Sequence, residues 1–262
     1  MSKNKRLKNK KIKFQEKPID TTSISSQPST KDKSPIVHQR NKIDRQLQIF
    51  KRSDLTEKQN AFISLALDNT TKIIFVSGPA GVSKTYLSVL ASLLLLNNKK
   101  VSDLIYLRSV VESSSRSMGF LPGDLDLKMG VYLRPLTDKL SELLPSSDIK
   151  YLKDGDRISG EPINFLRGQS WNAMSVIVDE SQNLTYKELL TVITRIGPFS
   201  KIMLLGDPEQ SDIRDSGFVK MMSCFDDNES ASNGIHCVKF DESDCLRSGI
   251  CKFILEKLKN IK

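Results

Sequence analysis

The chain has 262 residues, 38% of them hydrophobic and 27% charged, with a formal net charge of +9. That length suits one large domain or two small ones, and the apolar content is enough for a core. No apolar stretch approaches the ~20 residues of a membrane-spanning helix, which excludes an integral membrane protein. No apolar segment follows the basic start at Met1, so no secretory signal is expected and a cytoplasmic location is read. The four cysteines, Cys224, Cys237, Cys245 and Cys251, form no Cys-x-x-Cys pair. With only His38 and His236 besides, a zinc centre or a histidine-dependent triad has little support, and the thiols are read as reduced.

The charge is unevenly placed. Residues 1–52 hold 15 Lys/Arg against 4 Asp/Glu, whereas the other 210 residues hold 25 against 27. Residues 18–37 are rich in Ser, Thr and Pro. Such a segment buries too little apolar surface to offset its chain entropy, so 1–52 is expected to be a disordered basic tail. It is either a solvated arm or an arm that neutralises the phosphates of RNA or DNA.

From Leu55 onward strands and helices alternate. Thr56-Glu57-Lys58-Gln59 is a capping-box pattern, continued at helical spacing by Phe62, Leu65 and Ala66. Strands are predicted at Ile73–Val76, Leu104–Leu107, Val176–Val178, Ile202–Leu205 and Val238–Phe240. Helices are predicted over 84–97, 125–143, 185–195 and 247–259. This alternation predicts an α/β domain over 53–262, with a mostly parallel sheet covered on both faces.

The strongest motif lies between the first strand and its helix: Ser77, Gly78, Pro79, Ala80, Gly81, Val82, Ser83, Lys84, Thr85. Small residues let backbone N–H groups curl around a phosphate, and the helix start adds positive potential. Lys84 would reach the β- and γ-phosphates of a nucleotide, and the Thr85 hydroxyl would ligate Mg²⁺. Ser83 stands where the pattern has its second glycine. If that position requires an unusual φ, affinity suffers; if it is near helical geometry, serine fits.

A second apolar strand ends in two carboxylates, Asp179 and Glu180. This is a Walker B pattern, expected on a strand beside that of the phosphate loop. Asp179 is assigned to Mg²⁺, and Glu180 to orienting or deprotonating the attacking water. A third strand ends in Gly206-Asp207-Pro208-Glu209-Gln210. There Gln210 either senses the γ-phosphate or is an exposed turn residue.

Between these motifs stand Met118-Gly-Phe-Leu-Pro-Gly-Asp, Tyr132-Leu-Arg-Pro and Leu166-Arg-Gly-Gln-Ser. In this order the pieces resemble the PhoH-like family of P-loop ATPases, from about Leu55 to Leu258. The resemblance implies a RecA-like nucleotide core akin to that of superfamily 1 helicases, and a homo-oligomer, a hexameric ring. It offers Gln59 as an adenine-reading glutamine, although the same side chain serves the Thr56 capping box. It offers Arg247 as an arginine finger acting in cis or from a neighbouring subunit, although a plain helix-start arginine fits as well. No nuclease domain is expected.

The reading is therefore an ATP-binding protein that hydrolyses ATP with Mg²⁺, coupled to RNA or single-stranded DNA, with no membrane partner. The alternative is a nucleotide-gated nucleic-acid-binding module with little turnover. A signalling GTPase is disfavoured, since no Asn-Lys-x-Asp motif ends a strand.

Overall fold

Continuous apolar runs bounded by polar turns suit strands buried on both faces, and here they build a parallel sheet. The computed structural model describes residues 42–109, 125–163, 170–245 and 257. These fall within the unit Val37–Lys262. The strands are β1 (Ile73–Ser77), β2 (Asp103–Arg108), β3 (Ile158–Pro162), β4 (Met174–Asp179), β5 (Lys201–Gly206) and β6 (Ile235–Lys239). Their order is β3-β2-β4-β5-β1-β6, and every neighbouring pair is parallel. The helices are α1 (Glu57–Leu67), α2 (Lys84–Asn97), α3 (Leu125–Leu143), α4 (Ser146–Asp154), α5 (Tyr186–Ile193), α6 (Phe218–Cys224) and α7 (Asn228–Ser232). No helix among the described residues is long and apolar enough to cross a membrane.

The two faces of the sheet carry separate cores, as the period of two along a strand requires. Ile74 and Val76 of β1, Ile177 of β4, and Met203 and Leu205 of β5 join one cluster, with α1, α2, α3 and α4. Ile73 and Phe75, Val176 and Val178, and Ile202 and Leu204 join the other, with α5 and α6. Helix α2 is apolar nearly all round and is correspondingly buried on most sides. It packs against α1, α3, β2, β4 and β5. Its buried Ser92 hydroxyl finds Ser175 of β4 at 2.7 Å.

Several expectations change. The strand ending in Asp179 is not the neighbour of the phosphate-loop strand, because β5 lies between them. Strand β3 was not foreseen: Ile158-Ser-Gly-Glu-Pro is hardly apolar, and an edge strand paired only with β2 needs little burial. Helices α4, α6 and α7 also went unassigned. The last strand starts earlier than predicted, at Ile235, and the helix predicted over 247–259 lies outside the described residues except for residue 257.

Residues 42–52 depart from the disordered tail to which composition assigned them. Ile43 and Leu47 are buried in the core. Leu47 and Asn97 exchange hydrogen bonds of 2.8 and 3.0 Å. The buried Asp148 carboxylate accepts from the Gln48 N–H at 2.7 Å and pairs with Arg45. Phe50 N–H donates to the Leu143 carbonyl at 2.8 Å. Residues 1–41 are outside the described set.

Candidate functional site

In a parallel sheet ligands are met at the carboxyl ends of the strands. Ser77 pairs with Gly206 and Arg108 with Asp179, so the ends of β1, β5, β4 and β2 stand side by side. A cleft of about 380 Å³ opens over them. Its walls include Ala80, Gly81, Ser83, Lys84 and Thr85 from the first loop, with Asp179, Glu180, Asp207 and Gln210 from the other strand ends. Most of the residues singled out from three separate stretches of sequence thus share one cavity.

The loop turns sharply because two of its residues have positive φ: Gly81 at 95° and Ser83 at 65°. Ser83 sits in the left-handed region with ψ 26°, as the N-cap of α2, and makes no side-chain cap. Serine therefore occupies a conformation that costs an L-residue roughly 1–2 kcal/mol. The first backbone N–H groups of α2 have no intrahelical acceptor, which leaves them as donors for an anion. Val82 anchors the loop, its side chain wholly buried. Lys84 folds back over the loop and donates to the carbonyls of Gly78 and Pro79, the latter at 3.0 Å.

Facing the loop, Asp179 is nearly buried. Its Oδ2 accepts from Thr85 Oγ1 at 3.2 Å and from the Tyr106 hydroxyl at 2.5 Å. Burial pushes the Asp179 carboxyl above the usual range, while the Tyr106 hydrogen bond pulls it back. Burial, and then the charge of Asp179, hold the Tyr106 phenol protonated. Hydroxyl and carboxylate oxygens in contact are the hard donors that Mg²⁺ takes, commonly with only one or two protein ligands. Thr85 and Asp179 therefore fit that ion.

Glu180 also has positive φ, 55°. Its carboxylate is held on both sides, by Arg108 at 3.5 Å and by the Gln182 amide at 2.6 Å. Gln182 in turn accepts from the Asp207 N–H at 3.1 Å, which joins the ends of β4 and β5. Burial raises the Asp207 carboxyl, and the charge of Lys84 lowers it. Gln210 is exposed in the 3-10 turn Pro208–Gln210 and lines both this cleft and an adjoining one of about 430 Å³.

Gln59 is turned into the protein. It is fully buried. Its carbonyl accepts from Thr56 N–H at 3.0 Å, and its amide donates to the carbonyls of Val82 and Asp244 at 3.2 and 2.8 Å. The carbonyl end serves the α1 capping box and the amide end ties α1 to the loop at Val82 and to Asp244, so the capping reading describes this residue, which is not on the cleft wall. Arg247 lies outside the described residues. From the sequence alone Tyr106, Arg108, Gln182 and Arg52 receive no role. Gln182 carried a signal, three residues beyond Asp179; Tyr106 and Arg52 carried none, since their places depend on strand pairing and on the packing of 42–52.

A family model described as PhoH-like protein matches residues 53–259. A PhoH-like protein of Bacillus subtilis is 34% identical over 184 residues, 70% of this chain and 57% of that protein. One of Mycobacterium tuberculosis is 33% identical over 191 residues, 73% of this chain and 53% of its own length. Protein PhoH of Escherichia coli is 31% identical over 186 residues, covering 69% and 51%. The chain thus spans about half the length of the curated relatives it matches.

Proposed function

The chain belongs to the PhoH-like family of P-loop proteins, and from that premise we propose that it is an ATPase that hydrolyses ATP with Mg²⁺ and couples hydrolysis to RNA or single-stranded DNA. The observation that carries this reading is the meeting of Thr85 and Asp179 at 3.2 Å in a cleft also lined by Lys84 and Glu180. In this reading the N–H groups at the start of α2 cradle the phosphates. Lys84 exchanges the Gly78 and Pro79 carbonyls for β- and γ-phosphate oxygens. Thr85 and Asp179 would hold Mg²⁺, which when bound would supply Lewis-acid withdrawal of charge from the phosphates. Glu180 orients a water and takes its proton as the water oxygen bonds to the γ-phosphorus and the β–γ bridge breaks. Gln210 is placed to sense the γ-phosphate, and Arg247 is proposed as the finger residue.

Phosphate release from the purified protein tests this. Turnover that Lys84→Ala and Glu180→Gln each reduce a hundredfold or more supports it. Turnover indifferent to both changes refutes it. Assembly into a hexameric ring, a cytoplasmic location and nucleic-acid binding by the basic N-terminus belong to the same proposal. The deletion that tests the tail ends at residue 41, because Ile43 and Leu47 belong to the core. It should flatten the salt dependence of RNA affinity.

A second reading, nucleotide-gated nucleic-acid binding with little turnover, draws on the left-handed Ser83 and the tethered Lys84. It predicts nucleotide-dependent RNA affinity without phosphate release.

A further inference from the structure

The wall of the cleft carries a flat, fixed platform that phosphate binding does not need. Residues 42–52 end there at Arg52. The Arg52 guanidinium lies over the Tyr86 ring, its Cζ 5.7 Å from the centroid. The backbone N–H of Arg52 donates to the Tyr86 hydroxyl at 3.0 Å. Arg52 Nε and Nη2 donate to the two oxygens of Asp54 at 3.0 and 2.8 Å. Glu142 stands 3.9 Å from Nη1. A bidentate carboxylate fixes the plane of a guanidinium as well as its place. The platform is therefore set before a ligand arrives, and about a third of the side chain remains exposed (34%).

Position gives the platform its use. Tyr86 directly follows Thr85, and it is the only aromatic side chain on the cleft wall among the described residues. A nucleotide whose phosphates lie on the loop before it leaves its base to meet the remaining walls. Gln59 is occupied inside the protein. A planar cation attracts the π-face of a base, and the contact grows with ring area.

We infer that Arg52, backed by Tyr86, stacks against the base of the bound nucleoside triphosphate and gives the site a preference for purines. The inference rests on the nucleotide site proposed above and adds the base contact to it. Arg52 acts through the plane of its guanidinium, so lysine, which keeps the charge, does not replace it.

Calorimetric titration of the full chain with Mg²⁺ tests this, using the β,γ-imido analogues of ATP and UTP and inorganic tripolyphosphate. The wild-type chain should bind the ATP analogue about fivefold more tightly than the UTP analogue, a part of the full worth of one such contact, since uracil also presents a π-face. Arg52→Ala and Arg52→Lys should each bring that ratio to about twofold or less. Arg52→Lys, which can still pair with Asp54, should leave tripolyphosphate affinity as it was, and it stands in if the alanine variant folds poorly. An unchanged ratio in either folded variant overturns the inference. So does an equal loss for all three ligands, which would make Arg52 a phosphate contact. Tripolyphosphate binding without any base preference in the wild-type chain overturns the base contact alone. No binding of any of the three overturns the nucleotide reading and the base contact with it.

Discussion

Thr85 and Asp179 are 94 residues apart in the chain and meet at 3.2 Å, hydroxyl to carboxylate. One opens α2 and the other closes β4, two strands from β1. The carboxylate is already held by Tyr106, so its place is set without a ligand.

Asp179→Asn keeps the shape of the side chain and removes its charge. Nucleotide affinity in the wild-type protein should rise at least tenfold when Mg²⁺ is added, and in the variant by less than twofold, as charge-based ligation of a hard cation requires. Titration of a fluorescent ATP analogue with and without Mg²⁺ reads this directly. An undiminished Mg²⁺ effect would take Asp179 out of the metal site.

Ser83→Gly should stabilise the protein. Releasing a left-handed serine gains roughly 1–2 kcal/mol, from which the added freedom of glycine in the unfolded chain removes part. The net expectation is about 0.5–1 kcal/mol, seen as a higher urea midpoint at unchanged slope. A lower midpoint would mean that the hydroxyl makes a contact worth more than the backbone conformation costs.

Leu47→Ala should destabilise by roughly 2–4 kcal/mol, the usual cost of emptying a buried leucine site. Leu47 is 3% exposed. A loss below about 0.5 kcal/mol would return residues 42–52 to the solvated arm that their composition suggested.

Lys201 gives the protein a distinctive alkaline response. Burial lowers its ammonium from 10.5 to about 8, with Asp68 opposing and Lys100 assisting. Below about pH 8 the folded and unfolded chains both hold this proton, and the burial penalty is present in full. Between about pH 8 and 10.5 only the unfolded chain keeps it, so stability from this group rises with pH. Denaturation midpoints across that window should rise relative to those of Lys201→Met, and parallel curves would contradict the shift.

What was legible in the sequence was what local chemistry dictates. The small residues of 78–83 can serve little but a tight loop, and the apolar runs before Ser77, Asp179 and Gly206 can serve little but buried strands. What escaped depends on distant partners. The fate of Gln59 is decided by the carbonyl of Asp244, 185 residues away. The tether on Glu180 comes from Arg108, through the register that sets Arg108 beside Asp179. Ser83 left two outcomes open, and only the backbone angle chose between them: φ is 65°, the strained one. The packing of 42–52 was hidden because a few apolar residues, Ile43 and Leu47 among them, were averaged into a basic, proline-containing stretch.

The most direct measurement is a crystal structure of the full chain with the β,γ-imido analogue of ATP and Mg²⁺. The triphosphate should lie along the backbone of residues 80–85, with Lys84 turned from the Gly78 and Pro79 carbonyls onto phosphate oxygens and the metal held by Thr85 and Asp179. A triphosphate bound elsewhere, or Lys84 still tied to its own loop beside a bound nucleotide, would contradict this arrangement.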